Sequence, residues 1–463
     1  MASIGVFTIA SKNYLAYVRV LLESVTRIHP EYKVYLCLAD KVDGCFDPTI
    51  EPYTIVQADD LSIPHFADFA LRYDIMEFNT AVKPFMFRWL FNNTDLDAVI
   101  YLDPDIQVFS RLDRLESLLS SPASIVLTPH ITKPLEDGKS PSDYSMLQAG
   151  VFNLGFIGAR RCGESLDFME WWGRRLVTQC INDLQSNLFV DQKWCDLAPC
   201  LLENLKILRD EGYNTAYWNL AQRKVSKNES GVWLSNSFPL VFFHFSGINP
   251  LQKQLVSKHQ NRFGWSDILE VQPLFEAYNS ALMKAGWSET RNWPYAYDLL
   301  SDWGKLTKVL RQLYRDEVPR PSNEDLSGNG VLIKRICNEQ SPLVIKDSDL
   351  CITKLMYSIY IHRSDLQSTF NLSTPEGRRQ FANWFEVAGK SEYDLPREVY
   401  HQELISGRPG QFVIRKTFAS FAYRSLVTLT PLAKTITQPL PVNFRNTLKR
   451  IWGRLKSQTI SRL

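Results

Sequence analysis

Over residues 1 to about 300 the chain alternates short aliphatic and β-branched runs with longer stretches whose apolar positions recur every three to four residues. An unbroken or alternating apolar run predicts a strand, and a three-to-four spacing predicts a helix packed on one face. IGVFTIA at 4–10 predicts the first strand, and 14–28 a helix with Leu15, Val18, Leu22 and Val25 on one side. KVYLCLAD predicts a second strand, 83–92 a helix and AVIYLD a buried strand. Further strands are expected at SIVLTPH, GVFNLGFIGA, LKILRDEGYN and LVFFHFSG, with the helix LDFMEWWGRRLVTQCI between two of them. Strands joined by helices in this way predict an α/β domain with parallel strands.

The pattern changes at 317–330, EVPRPSNEDLSGNG, where Pro, Ser, Asn, Asp and Gly accumulate as in linkers. Between 341 and 405 the spacing is helical again, in LCITKLMYSIYIHRSDLQSTF and RRQFANWFEVAGK. The expected organisation is therefore an α/β domain at 1–300, a linker and small helical subdomain at 301–405, and a tail at 406–463. That tail is a separate electrostatic object. No acidic residue follows Glu403, while eleven Lys and Arg do, which leaves residues 1–403 at −9, with 41 basic against 50 acidic side chains. With Phe418, Phe421, Tyr423, Phe444, Ile451 and Trp452 interleaved, it predicts an amphipathic segment on an anionic membrane surface, each basic residue contributing about 1 kcal/mol. No nucleic-acid fold signature accompanies the charge, and a nucleic-acid partner is not expected. The alternative is a solvated tail.

Composition narrows the class. With 45% hydrophobic and 22% charged residues, a mainly disordered chain is excluded. No apolar run reaches the ~18 residues of a membrane span, and the N-terminus enters a strand without a signal-like segment. The expectation is a cytoplasmic chain, peripheral on the inner face of the cytoplasmic membrane. Eight cysteines without a CxxC pair predict reduced thiols and neither zinc nor disulfides. The Asn-x-Ser/Thr matches at Asn92, Asn228 and Asn371 then carry no glycans.

Asp-x-Asp occurs three times, at Asp95/Asp97, Asp103/Asp105 and Asp347/Asp349. Only the middle pair ends a buried strand, where open α/β sheets bind ligands, and Pro104 stops that strand. The other two read as a loop start and a helix N-terminus. Two close carboxylates repel unless a cation lies between them, and oxygen ligands suit Mg²⁺ or Mn²⁺. The competing reading is a pair of caps for the following turn. His244 also ends an apolar strand, and Ser246-Gly247 follows it. On its own a histidine there is a satisfied core residue; with Asp103 and Asp105 it completes a set favouring Mn²⁺.

These pieces stand in the order of a GT-A-fold nucleotide-sugar glycosyltransferase, and residues 1–300 resemble the retaining family of glycogenin and the lipopolysaccharide galactosyltransferases. Four blocks carry the resemblance: TIASKNYLAY, YLDPDI, GVFNLGF followed by FVDQKW, and HFSG. It implies a UDP-sugar donor near Thr8, Ala10, Asn13 and Tyr14, with Asn13 and Tyr14 holding the uridine. It further implies a metal on Asp103, Asp105 and His244, the donor sugar facing Asn153, Asp191 and Gln192, and Gly247 against the diphosphate. Lys83 stands where the family often has an arginine. The chain departs from the pattern in Leu154 for a serine, in Lys193 after Asp191-Gln192, and in lacking Lys-Pro-Trp after Gly247. Lys258 is the candidate replacement for that lysine.

The resemblance implies glycosyl transfer to a glycan or lipid-linked saccharide acceptor, with Asp191 and Gln192 as the catalytic pair, in positioning and electrostatic roles, and with retention of configuration. An inverting transferase using Asp191 as base, and an inactive scaffold subunit, are the alternatives. Trp171, Trp172, Trp194 and Trp218 read as core rather than as sugar platforms. GYNTAYWNLAQR at 212–223 is similar to a loop near the acceptor cleft of bacterial polysaccharide transferases.

Overall fold

Alternation within single strands builds the main domain. In the computed structural model, which describes residues 2–120, 122–299, 304–321, 329–341 and 352–399, strand β1 (Ile4–Ala10) is buried on both faces. Ile4, Val6 and Ala10 enter one core, while Phe7 and Ile9 enter the other. Helix α1 (Leu15–Ile28) follows and buries Leu15, Val18, Leu22 and Val25, the four positions its spacing singles out. Strands β2 (Lys33–Leu38) and β3 (Thr54–Gln57) come next. Helix α2 (Ile75–Ala81) is started by a capping box, in which Asp74 accepts from Met76 and Glu77 N–H at 3.0 Å and Glu77 accepts from Asp74 N–H at 3.1 Å. Helix α3 (Lys83–Asn93) opens with Pro84 in its first turn, where a missing N–H costs nothing.

Strand β4 (Ala98–Leu102) again sends alternate residues to the two cores, Ala98, Ile100 and Leu102 to one and Val99 and Tyr101 to the other. It is followed by β5 (Ile106–Val108), α4 (Asp113–Ser120), β6 (Ile125–Pro129), β7 (Phe152–Arg160) and α5 (Gly163–Gln179). Among the short strands that follow are β8 (Leu205–Ile207), β9 (Thr215–Ala216) and β10 (Phe242–His244). The seven-stranded sheet has the order β8-β6-β7-β4-β1-β2-β3. All its pairings are parallel except those of β7, which runs antiparallel to β4 and β6. This is the α/β arrangement with a largely parallel sheet that the alternation of strands and helices predicts. A second sheet, β9-β10-β5, stands beside it.

The stretch LKILRDEGYN does not form one strand. Only Leu205–Ile207 is extended, because Asp210 to Gly212 form a turn closed by Tyr213 N–H on Asp210 at 3.1 Å. A β-carbon on Gly212 would collide with the Pro239 carbonyl.

The chain divides into two compact units, residues 1–298 with 320–323, and residues 299–319 with 324–463. The second contains helices α6 (Lys308–Glu317), α7 (Asn329–Asn338), α8 (Lys354–Ile361), α9 (Ser364–Thr369) and α10 (Pro375–Trp384). Its core stacks Phe381 on Trp384, with ring centres 5.6 Å apart, beside Phe370 and Tyr360. The basic tail and Asp347/Asp349 lie outside the described residues. Among those residues no helix is long and apolar enough to cross a membrane.

Candidate functional site

The turn Asp103-Pro104-Asp105 joins strands of two different sheets. Ile106 N–H closes it on Asp103 C=O at 3.0 Å, with Pro104 in the second position. β4 thereby ends at the carboxyl edge of the main sheet, beside β1, where the strand order reverses direction. β5 enters the small sheet and pairs antiparallel with β10, with Ile106 opposite His244. That register, extended by Phe245 N–H on Asp105 C=O at 2.8 Å, carries His244 across some 140 residues of chain to the two aspartates.

His244 Nε2 lies 2.9 Å from Asp105 and 3.6 Å from Asp103. One ligand atom of each residue falls within 4.8 Å of the others. The Asp103 carboxylate is held from behind by the Tyr101 hydroxyl, two residues earlier on the same face of β4. Burial raises the pKa of Asp103, against the charges of Lys83 and His244. Burial alone would strip the proton from His244, but the charge and hydrogen bond of Asp105 and the charge of Asp103 outweigh it and hold that pKa above its ordinary value. The imidazole is fixed from both sides, by Trp218 edge-on at 5.1 Å and by Gly155, where a β-carbon would come within 2.7 Å of Nδ1. Two carboxylate oxygens and one ring nitrogen, converging with no lysine or arginine among them, fit a hard or borderline divalent cation. A second group, His29, Glu31 and Glu116, does not. There His29 Nε2 accepts from Leu112 N–H at 3.0 Å, and Arg111 pairs with Glu31 at 2.8 Å.

The residues expected around the nucleotide separate into two groups. Thr8 and Ala10 are buried within β1, so Thr8 offers the cleft no side chain. Asn13 and Tyr14 lie beyond the end of that strand. Tyr14 is 44% exposed and stacks on Tyr17 at 4.7 Å. Although the ring is exposed, desolvation at its hydroxyl end, with the charges of Asp105 and Asp103, pushes the hydroxyl up to about 12. Gly247 has φ +77°, and a β-carbon there would press on Ser257 and His259. Its carbonyl accepts from Lys258 N–H at 3.1 Å, and the Lys258 side chain is exposed.

Lys83, Asp191 and Gln192 are tied to one another and to the start of β7 by buried contacts. Lys83 Nζ is buried and spent inside the protein, on Asp191 at 2.6 Å and the Leu154 carbonyl at 2.8 Å, with the Tyr101 ring 4.2 Å away. Asp191 is equally buried, and burial raises its pKa against the pull of Lys83. Gln192 accepts from Leu154 N–H at 3.0 Å and donates to the Ala149 carbonyl at 2.9 Å. The physical reason is the antiparallel strand β7. Near its start Leu154 turns its N–H to Gln192 and its carbonyl to Lys83, and Asp191 answers the charge of that lysine.

Sequence reasoning missed the wall formed by His130, Asn214 and Trp218. Asn214 bonds Asn153 at 2.9 Å, Asn153 meets His130 at 3.3 Å, and Trp218 packs edge-on against both His130 and His244. The available signal was GYNTAYWNLAQR, whose Thr215 and Ala216 pair with Phe243 and His244. Trp172 and Trp218 are buried and present no sugar platform.

No family model matches the chain. It is 25% identical over 253 residues to the uncharacterized protein YfnD of Bacillus subtilis strain 168, covering 53% of this chain and 78% of that one. It is 30% identical over 183 residues to YfnF of the same strain, covering 38% of this chain and only 57% of the relative. Among solved structures it is similar to the galactosyltransferase LgtC in complex with donor and acceptor sugar analogues, at 15% identity, covering 60% of this chain and 95% of that one, with a TM-score of 0.35. It is also similar to the glycosyltransferase GlyE of Streptococcus pneumoniae TIGR4, at 16% identity, covering 63% and 66%, with a TM-score of 0.36.

Proposed function

We propose that this protein is a retaining glycosyltransferase that moves a hexose from a UDP-sugar to a glycan or lipid-linked saccharide, using Mn²⁺ or Mg²⁺. The observation that carries the reading is the meeting of Asp103, Asp105 and His244 at the carboxyl edge of the sheet, where β1 and β4 diverge. A divalent cation bound there would neutralise charge on a departing diphosphate.

The remaining work falls to the chain. Tyr14, exposed and stacked on Tyr17, offers a flat surface to the base. Gly247 lets backbone approach a phosphate that a side chain would keep away. Asn153 holds a position beside His244, since both crowd the missing β-carbon of Gly155. Inversion needs a carboxylate free to take the acceptor proton. Asp191, the candidate for it, is buried against Lys83, which favours retention and leaves Asp191 and Gln192 in positioning and electrostatic roles rather than covalent attack.

The test is release of UDP from UDP-glucose, UDP-galactose and UDP-N-acetylglucosamine by the full chain, with Mn²⁺ or with a chelator. The expected result is metal-dependent release that falls about 100-fold or more in Asp103→Asn, with unchanged circular dichroism. Activity indifferent to both chelator and substitution would refute the metal site. A wild type that binds UDP-sugar yet never releases UDP would favour the scaffold alternative.

A further inference from the structure

The segment 212–219 meets the site through Trp218, against His244, and through Asn214, against Asn153. We infer that Asn214 is a positioning residue that locks the side-chain amide of Asn153 in one of its two flips, so that Asn153 can only donate to a ligand. The argument rests on the proposed nucleotide-sugar reading for what that ligand is, but not for the lock itself.

The orientation follows from donors that cannot change role. Gly155 N–H points at one end of the Asn153 amide at 3.2 Å. A peptide N–H only donates, so that end is the oxygen. The same oxygen meets Asn214 at 2.9 Å, so the Asn214 atom facing it is its NH₂ group. The second N–H of that group goes to Thr128 Oγ1 at 2.8 Å. Asn153 Nδ2 then faces His130 Nε2 at 3.3 Å. An NH₂ group only donates, so the His130 tautomer that meets it carries its ring proton on Nδ1 and accepts at Nε2. One Asn153 N–H remains unspent.

A fixed donor beside the Asp103, Asp105 and His244 group selects an oxygen lone pair, on a sugar hydroxyl or on a phosphate. Asn214 itself is buried, sits at φ +53°, and its Oδ1 has no partner among the described residues. An orphaned buried acceptor is costly, and the two hydrogen bonds of the donor edge offset that cost.

Two variants suit the backbone at this position. Asn214→Asp keeps the shape but offers only acceptors, and Asn214→Gly accepts φ +53° and removes the donor without adding charge. The first measurement is the Asn153 side-chain amide resonance pair in asparagine-labelled full-length protein, identified by its loss in Asn153→Ala. The pair is expected to move in both Asn214 variants, whereas a pair unmoved in Asn214→Gly overturns the lock. The second is a double-mutant cycle on kcat/KM for the UDP-sugar. Asn214→Gly is expected to lower it about 10- to 100-fold in the wild type and to add nothing once Asn153→Ala is present. Additive losses would mean a merely structural role and overturn the inference. A wild type without turnover whose amide pair still moves would refute the proposed function and leave the lock standing.

Discussion

Replacing Lys83 by methionine isolates the energetics beneath the site. Lys83 and Asp191 are 2.6 Å apart with side chains 1% and 2% exposed, so solvent screens neither charge. Methionine fills the same volume but leaves the carboxylate buried without its counter-charge, which costs about 3–5 kcal/mol. The lost bond to the Leu154 carbonyl, and the lost contact with the Tyr101 ring, add about 1 kcal/mol each. Asp191 already has a raised pKa through burial, opposed by Lys83, and removing the lysine raises it further. A carboxyl whose folded pKa lies above its unfolded one destabilises the fold at high pH and ceases to do so once it is protonated. The Lys83→Met penalty should therefore be full at pH 8 and shrink as pH falls through the raised pKa. Urea unfolding at several pH values measures this, with Lys83→Met/Asp191→Asn as the partner variant, which should recover most of the loss because no bare charge remains. A penalty below about 1 kcal/mol at pH 8, or a double variant no better than the sum of its parts, would refute the reasoning.

Three further outcomes are expected. Gly155→Ala should weaken Mn²⁺ binding by about 10- to 100-fold, measured by electron paramagnetic resonance, because the new methyl meets His244 Nδ1 at 2.7 Å and Asn153 Oδ1 at 2.8 Å. Gly158→Ala, which meets Leu115 at 3.2 Å, should leave that binding intact. His130 has its pKa depressed to about 4 by burial, so its contribution to stability is complete above the ordinary value near 6.5 and is lost as pH falls from there to about 4. The loss should reach about 3 kcal/mol, and denaturation of His130→Gln across that window should be correspondingly flatter. Sedimentation with anionic vesicles should retain the full chain and release a chain lacking residues 408–463; equal binding by both would remove the membrane reading of the tail.

The fold was legible where apolar spacing was long and regular. IGVFTIA and AVIYLD form β1 and β4, and the face of Leu15, Val18, Leu22 and Val25 is the buried face of α1. Asp103 and Asp105 were legible because a buried strand ends on them. What could not be read was the pairing of β5 with β10, since strands of three residues carry almost no periodic signal and their register is set by tertiary contacts. The same limit hid Asn214, whose role depends on β9 running beside β10. Lys83 and Asp191 were visible as chemistry-bearing residues, but a sequence cannot say whether two opposite charges face a ligand or each other.

The departures from the pattern that the sequence resembles follow from the contacts made at each place. Leu154 stands where a serine is usual, yet its side chain is buried in the core beneath the sheet. Its peptide group does the work, donating to Gln192 and accepting from Lys83. Any residue that fills the core can supply those two atoms, so a hydroxyl is dispensable there. Lys193, where an acid is common, pairs with Asp196 at 2.8 Å and donates to the Leu147 carbonyl, so its charge is answered within the protein and does not burden the cleft. The residues that tolerate no such exchange are those with their bare geometry in use: Gly155, which leaves room for His244, and Gly247, whose backbone conformation excludes a side chain. Variation in the motif letters is thus cheap where the main chain acts and costly where the absence of atoms does.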